Sequence, residues 1–187
     1  MNDPRPDTRA RIQQVAVELF TEHGYDGTSL REIAERLEVT KAALYYHFKS
    51  KEDIVASLME DYASKMDALI AWGREQPADA STRRELLSRY VDIVAESGQV
   101  FRMLHQNQAA VSTLSSAKTR GELFKERVGS LINLLSEPDA SAAARVKAAM
   151  AIGGISASWM FFSAQMDKGE LSKAVRGIAA DIVELPA

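Results

Sequence analysis

From Thr8 onward the apolar side chains recur at three- and four-residue intervals, the spacing that gathers them on one face of a helix, and this restricts the chain to an all-α fold. Ile12, Val15, Ala16, Leu19 and Phe20 make the first such face, within residues 8–23. Gly24 then suits the left-handed residue that commonly closes a helix, and Tyr25 can fold back over the last turn. Ser29-Leu30-Arg31-Glu32 is a capping box, after which Leu30, Ile33, Ala34 and Leu37 face inward. Ala34 is small enough to let a following helix cross closely. Thr40 caps a third helix, on which Leu44 and Phe48 share one face. Ser50 to Asp53 opens a fourth, carrying Ile54, Leu58, Tyr62, Met66, Leu69 and Ile70 as far as Trp72-Gly73.

The third of these helices is chemically unlike its neighbours. Val39 to Lys51 holds three lysines, one histidine, two adjacent tyrosines and no acid, whereas the whole chain carries a formal charge of −3. The cationic character is therefore a matter of placement. Taken singly, Lys41, Lys49 and Lys51 would suit any solvated helix surface, and Tyr45-Tyr46 any packing pair. Two short helices joined by a tight turn, the second basic and aromatic, make a helix-turn-helix, whose second helix enters the DNA major groove. Lys41, in the first turn, reaches guanine O6 or N7, and Ala42 and Tyr45 suit a thymine methyl. Arg31, in the first turn of the preceding helix, is a second candidate base reader.

Residues 8–54, above all G-Y-D-G-T-S-L-R-E-I-A-E-R-L followed by V-T-K-A-A-L-Y-Y-H-F-K-S-K-E-D-I, resemble the DNA-binding domain of the tetracycline-repressor (TetR) family. The resemblance covers about a quarter of the chain. It implies phosphate contacts from Tyr46, His47 and Lys51, and from Thr28 and Ser29 at the preceding helix start, and Thr40, which opens the reading helix, is counted with them among the DNA-binding residues. The family pattern often has glycine where this chain has Glu38; if that position needs positive φ, glutamate costs on the order of 1 kcal/mol there. Residues 1–51 are thus expected to form a three-helix DNA-binding domain, and residues 52–187 a larger helical ligand-binding and dimerisation domain.

Beyond Gly73 no comparable signature occurs. Thr82 to Glu85 reads as a capping box for a helix with Leu86, Leu87, Tyr90, Val91 and Val94 that ends near Ser97-Gly98, followed by a shorter helix with Val100, Phe101 and Leu104. A polar break is expected at 111–117, then a helix with Leu123, Phe124, Val128, Leu131, Leu134 and Leu135 that Pro138 stops. The last two helices are expected at about 139–168, ended by Gly169, and 170–185. They carry more apolar and small surface than one chain needs to hide, which predicts a homodimer through a two-fold four-helix bundle.

The resemblance also implies an effector pocket between the middle helices. Trp72, Phe101, Leu104, His105, Phe124, Trp159 and Phe162 are candidate walls for a small apolar or amphipathic effector, although each suits an ordinary core as well and His105 a half-buried histidine.

The chain has no cysteine and its three histidines are scattered, so neither disulfides nor a metal centre is expected, and no cofactor. No paired carboxylates, nucleophile–base pair or phosphate-binding glycine loop points to an enzyme. Ala148 to Met166 lacks charge but is diluted by glycine and serine, so a buried helix is expected rather than a membrane span. Without an apolar leader, the expected location is cytoplasmic. Two functions remain: a ligand-released homodimeric repressor of operator DNA, or an architectural DNA-binding protein without an effector.

Overall fold

The computed structural model describes residues 8–107, 117–136 and 139–184. Among them are eight α-helices and no strand: α1 (Thr8–Glu22), α2 (Leu30–Arg36), α3 (Lys41–His47), α4 (Lys51–Glu75), α5 (Ala80–Gln106), α6 (Ala117–Leu135), α7 (Ala142–Phe162) and α8 (Lys168–Glu184). The described residues gather into two compact units. One holds the chain up to Asp61 together with Gln99–Ala117; the other holds Tyr62–Gly98 and the chain from Lys118 onward.

In the first unit, α1 lays Ile12, Ala16, Leu19 and Phe20 into a core completed by Ile33 and Ala34 of α2, Leu44 of α3 and Phe48 at its end, Ile54 and Val55 of α4, and Met103 of α5. Gly24 closes α1 at φ 79°, and the Tyr25 ring turns back onto Phe20 with centroids 5.2 Å apart. The capping box on α2 is complete: Ser29 Oγ accepts from Glu32 N at 3.2 Å and Glu32 Oε2 accepts from Ser29 N at 3.1 Å.

The turn between α2 and α3 is a Schellman ending. Glu38 N donates to Glu35 O at 3.1 Å and Val39 N to Ala34 O at 3.0 Å, which requires Glu38 to be left-handed, at φ 57°. A side chain there meets the steric penalty that glycine escapes.

In the second unit, Met66, Leu69 and Ile70 of α4, Leu86, Tyr90 and Val94 of α5, Leu131 and Leu135 of α6, and Ala151, Ile155 and Trp159 of α7 are buried. Helices α7 and α8 pack side by side, Leu171, Val175 and Ala179 of α8 being buried. Among the described residues no helix is long and apolar enough to cross a membrane.

Three expected boundaries are corrected. Asp79, not Thr82, caps α5: its Oδ1 accepts from Thr82 N at 2.8 Å and its carbonyl from Arg83 N at 3.1 Å. Helix α5 does not stop at Gly98 but runs to Gln106. That glycine serves close packing, since a Cβ there would lie 3.1 Å from Trp159 Cε3. Finally, α7 ends at Phe162 rather than near Lys168, and Gly169 lies in the first turn of α8, which Asp167 opens by accepting from Gly169 N at 2.8 Å and Glu170 N at 3.1 Å. The expected polar break, apart from Ala117 at the start of α6, lies outside the described residues, as do Pro138 and Leu185.

Replacing Glu38 by glycine is expected to raise the melting temperature. Relief of the left-handed strain, on the order of 1 kcal/mol, is partly offset by the greater freedom glycine gives the unfolded chain. A calorimetric scan showing a lower melting temperature for Glu38→Gly would contradict the strain assigned to this turn.

Candidate DNA-binding interface

Helix α3 has only seven residues, too few to persist on backbone bonds alone. Leu44 is fully buried and Phe48 3% exposed, so the helix is held from beneath. Thr40 Oγ1 accepts from Ala43 N at 3.1 Å at one end, and Lys49 Nζ donates to Tyr45 O at 2.5 Å at the other. With 44 and 48 inward, Lys41, Ala42, Tyr45 and Tyr46 are presented outward, Tyr46 at 81% exposure. The Lys41 side chain makes no hydrogen bond or ion pair among the described residues. A cation in the first turn opposes the helix dipole, so its placement there favours an anionic partner over the helix itself.

Around this helix stand the other expected contacts. His47 is half-buried with its ring edge-on to Tyr46, centroids 5.2 Å apart. Ser29 is exposed at the start of α2, its oxygen already accepting from Glu32 N. Arg31 is exposed but paired, Nε donating to Glu35 Oε1 at 2.6 Å, and that carboxylate raises the guanidinium pKa further. To read a base Arg31 must exchange this partner.

Thr28 is corrected. It is 2% exposed, and its hydroxyl donates inward toward Gly24 O at 2.9 Å and Leu19 O at 3.2 Å. Its side chain fastens the end of α1 and is not exposed as the expected phosphate contact requires.

Lys51 has a role in the fold besides the expected phosphate contact. Its ammonium donates to Tyr25 O at 2.5 Å and lies 4.5 Å from the centre of the Tyr25 ring. Tyr25 N donates in turn to Asn107 Oδ1 at 2.7 Å, and Asn107 Nδ2 donates to Phe20 O at 3.2 Å and Met103 O at 2.8 Å. Both backbone groups of Tyr25 are thus held by side chains remote in sequence. Burial, then Glu52 and Asp26, push its phenol up to about 12. Gln13, 8% exposed, adds a second tie, Nε2 donating to Ser57 Oγ at 3.0 Å and Asp61 Oδ2 at 2.6 Å between α1 and α4. Neither Asn107 nor Gln13 shows any local sequence signal, because their partners lie tens of residues away.

The candidate effector-pocket residues divide. Phe101, Leu104 and His105 stand in the first unit, where Leu104 packs on the core. His105 is corrected: it is exposed, not half-buried. Trp72, Phe124, Trp159 and Phe162 stand in the second unit. Trp72 lies under Arg89, whose guanidinium carbon is 4.0 Å from the ring centre, Trp159 is 1% exposed, and Phe162 is 47% exposed.

Residues 12–58 match the family described as bacterial regulatory proteins, tetR family. The transcriptional regulator AcrR of Shigella flexneri is 39% identical over 83 residues, covering 43% of this chain and 39% of that protein. The biofilm-operon negative transcriptional regulator IcaR of Staphylococcus aureus is 56% identical over 44 residues, covering 24% of each. These first relatives are matched over less than two thirds of their own length. The crystal structure of the transcriptional regulator FadR from Bacillus subtilis in complex with stearoyl-CoA has the same fold, with a TM-score of 0.62 and 21% identity over 94% of this chain and 99% of that one.

Lys41→Ala is expected to lose about 1–3 kcal/mol of discrimination at one base-pair position, with the melting temperature nearly unchanged. Lys51→Ala should weaken all duplexes alike, flatten the salt dependence, and also lower the melting temperature through loss of its Tyr25 contacts. Anisotropy titrations against selected and random duplexes, with thermal melts beside them, separate these outcomes; wild-type affinity in both variants would contradict the interface.

Proposed function

We propose, from the match of residues 12–58 to the tetR family of bacterial regulatory proteins, that the protein is a homodimeric transcriptional regulator, a repressor that leaves its operator when a small apolar or amphipathic molecule binds. The observation that carries the DNA-binding part is the outward row of Lys41, Ala42, Tyr45 and Tyr46 on a helix anchored by Leu44 and Phe48. Lys41, Ala42, Tyr45 and Arg31 read bases; Ser29, Tyr46, His47 and Lys51 hold phosphates and set the register. IcaR, named as a negative regulator, supports repression, and the stearoyl-CoA complex of FadR supports an apolar effector.

One such helix makes few contacts, and a two-fold pair reads two half-sites a helical turn or more apart. The surface of α7 and α8 supports that pairing. Val146, Met150, Phe161 and Ile178 are 57%, 60%, 61% and 61% exposed, and Gly153, Gly154 and Gly177 have open space where a Cβ would stand. Small residues among large apolar ones let a partner's helices approach closely, and burying this face removes it from water.

Effector response requires a path between the units, and α4 and α5 run unbroken from one to the other. Ile54 and Val55 anchor α4 in the first unit, and Met66 and Leu69 in the second; α5 does the same with Met103 and Tyr90. A ligand that prefers one arrangement of the second unit shifts the population of the first. A coupling of about 1–3 kcal/mol changes operator affinity roughly 5- to 150-fold.

Selection of bound sites from a random duplex pool is expected to return a palindrome, bound by two chains. No preference over random duplex, with affinity set by salt alone, would instead indicate an architectural protein. Ile178→Asp should yield monomers in sedimentation and weaken operator binding; a dimer of unchanged operator affinity would remove α8 from the interface.

A further inference from the structure

Deep in the second unit one polar group is left over. Trp159 of α7 is 1% exposed, and its indole N–H has no hydrogen-bond partner among the described residues. Buried donors are nearly always paired, so an orphan of this kind marks a place for an acceptor that the chain does not supply. Ser156 stands three residues earlier on the same helix. Its hydroxyl is 2.8 Å from that of Tyr90 on α5.

Tyr62 of α4, 7% exposed, adjoins Tyr90, and its ring centre is 6.3 Å from that of Phe124 on α6. The α5 backbone at Gly98 backs the indole face, leaving no ordinary room for a Cβ. Four helices therefore bring two phenols, an alcohol, an indole and a benzyl side chain into one neighbourhood.

Every polar group in this set is uncharged. Burial is the first cause raising both phenols above their ordinary range, so Tyr62 and Tyr90 remain neutral at working pH. Two cations on the same helices as these side chains are paired, Lys65 of α4 with Glu96 at 2.7 Å and Arg127 of α6 with Asp67 at 2.8 Å, both carboxylates exposed. None of these side chains offers a charge to a ligand carboxylate or ammonium, which would lose its hydration among them; the buried Arg102 Nε, also without a hydrogen-bond partner among the described residues, belongs to the first unit.

We infer that Trp159 is the polar anchor of the effector site in the second unit, and that the effector is an apolar molecule bearing an uncharged hydrogen-bond acceptor, such as an ester or ketone, rather than a free acid or amine. This rests on the reading of the protein as a ligand-responsive regulator and names the ligand class of that response. The indole is closely packed, so admitting a ligand must part α5 from α7 around Gly98 and Trp159. Displacing α5 there moves a helix that continues into the DNA-binding unit.

The test uses the full chain labelled with 15N-tryptophan, which has two indole signals, assigned from Trp72→Phe and Trp159→Phe. Methyl decanoate, decanoate and decylamine share an alkyl chain and differ in head group. The ester is expected to shift the Trp159 indole proton downfield, as a new hydrogen bond does, and to bind at least about tenfold more tightly than either ion by calorimetry, a difference of about 1.4 kcal/mol. Trp159→Phe, which removes the donor and keeps an aromatic ring, should lose a similar factor in ester affinity.

Equal affinity for all three head groups, an unmoved indole signal or no ester binding overturns the inference, and the head-group comparison needs no variant. Operator anisotropy run in parallel keeps the two readings apart. Ester bound at Trp159 without loss of operator affinity would end the ligand-release reading and leave the site standing. No ester at Trp159, with operator still bound and released by another compound, would end the site alone.

Discussion

A seven-residue helix exposed to water does not hold its shape, and α3 persists because Leu44 and Phe48 are sunk into the core beneath it. Truncating a buried leucine to alanine costs about 2–5 kcal/mol, whereas the Thr40 cap is worth roughly 1 kcal/mol. Burial therefore dominates the energetics of this helix, and capping refines its ends. The same two residues set the outward face, because sealing one side of α3 fixes which side chains face outward. Lys41, Ala42, Tyr45 and Tyr46 are left there with no partner in the core.

The core that grips α3 is tied together by polar contacts reaching across the chain. Tyr25 is their junction, its N–H held by Asn107 and its carbonyl by Lys51. Asn107 comes from the end of α5, so the first unit is closed partly by a helix that begins in the second. Stability is also conceded at two points near the reading helix. Glu38 occupies a left-handed position, and Lys41 sits at the positive end of a helix dipole.

The DNA-binding unit was legible in the chain because its rules are local. Caps act over three residues, helix faces over four, and Gly24 announces a helix end by residue type, whereas the left-handed position at Glu38 was indicated by the family pattern. Even there Thr28 misled, since a threonine beside a capping serine looks like a surface residue until the carbonyls of Leu19 and Gly24 are seen to claim it. The second unit was less readable. Gly98 resembles a helix end in sequence, yet α5 passes through it because the Trp159 ring requires the missing Cβ. Gly169 misled in the same way, standing at the start of α8 rather than the end of α7. An orphan indole N–H has no sequence signature, because only tertiary packing leaves it without an acceptor among the described residues.

The most direct test of the account is photo-crosslinking of the protein to its selected duplex carrying 5-iodouracil in place of thymine, with the adducts mapped by mass spectrometry. Adducts on Tyr45 or Tyr46 are the predicted result, since these rings stand on the outward side of α3. Adducts confined to residues outside Lys41–Lys51 would contradict the claim that this helix lies in the groove.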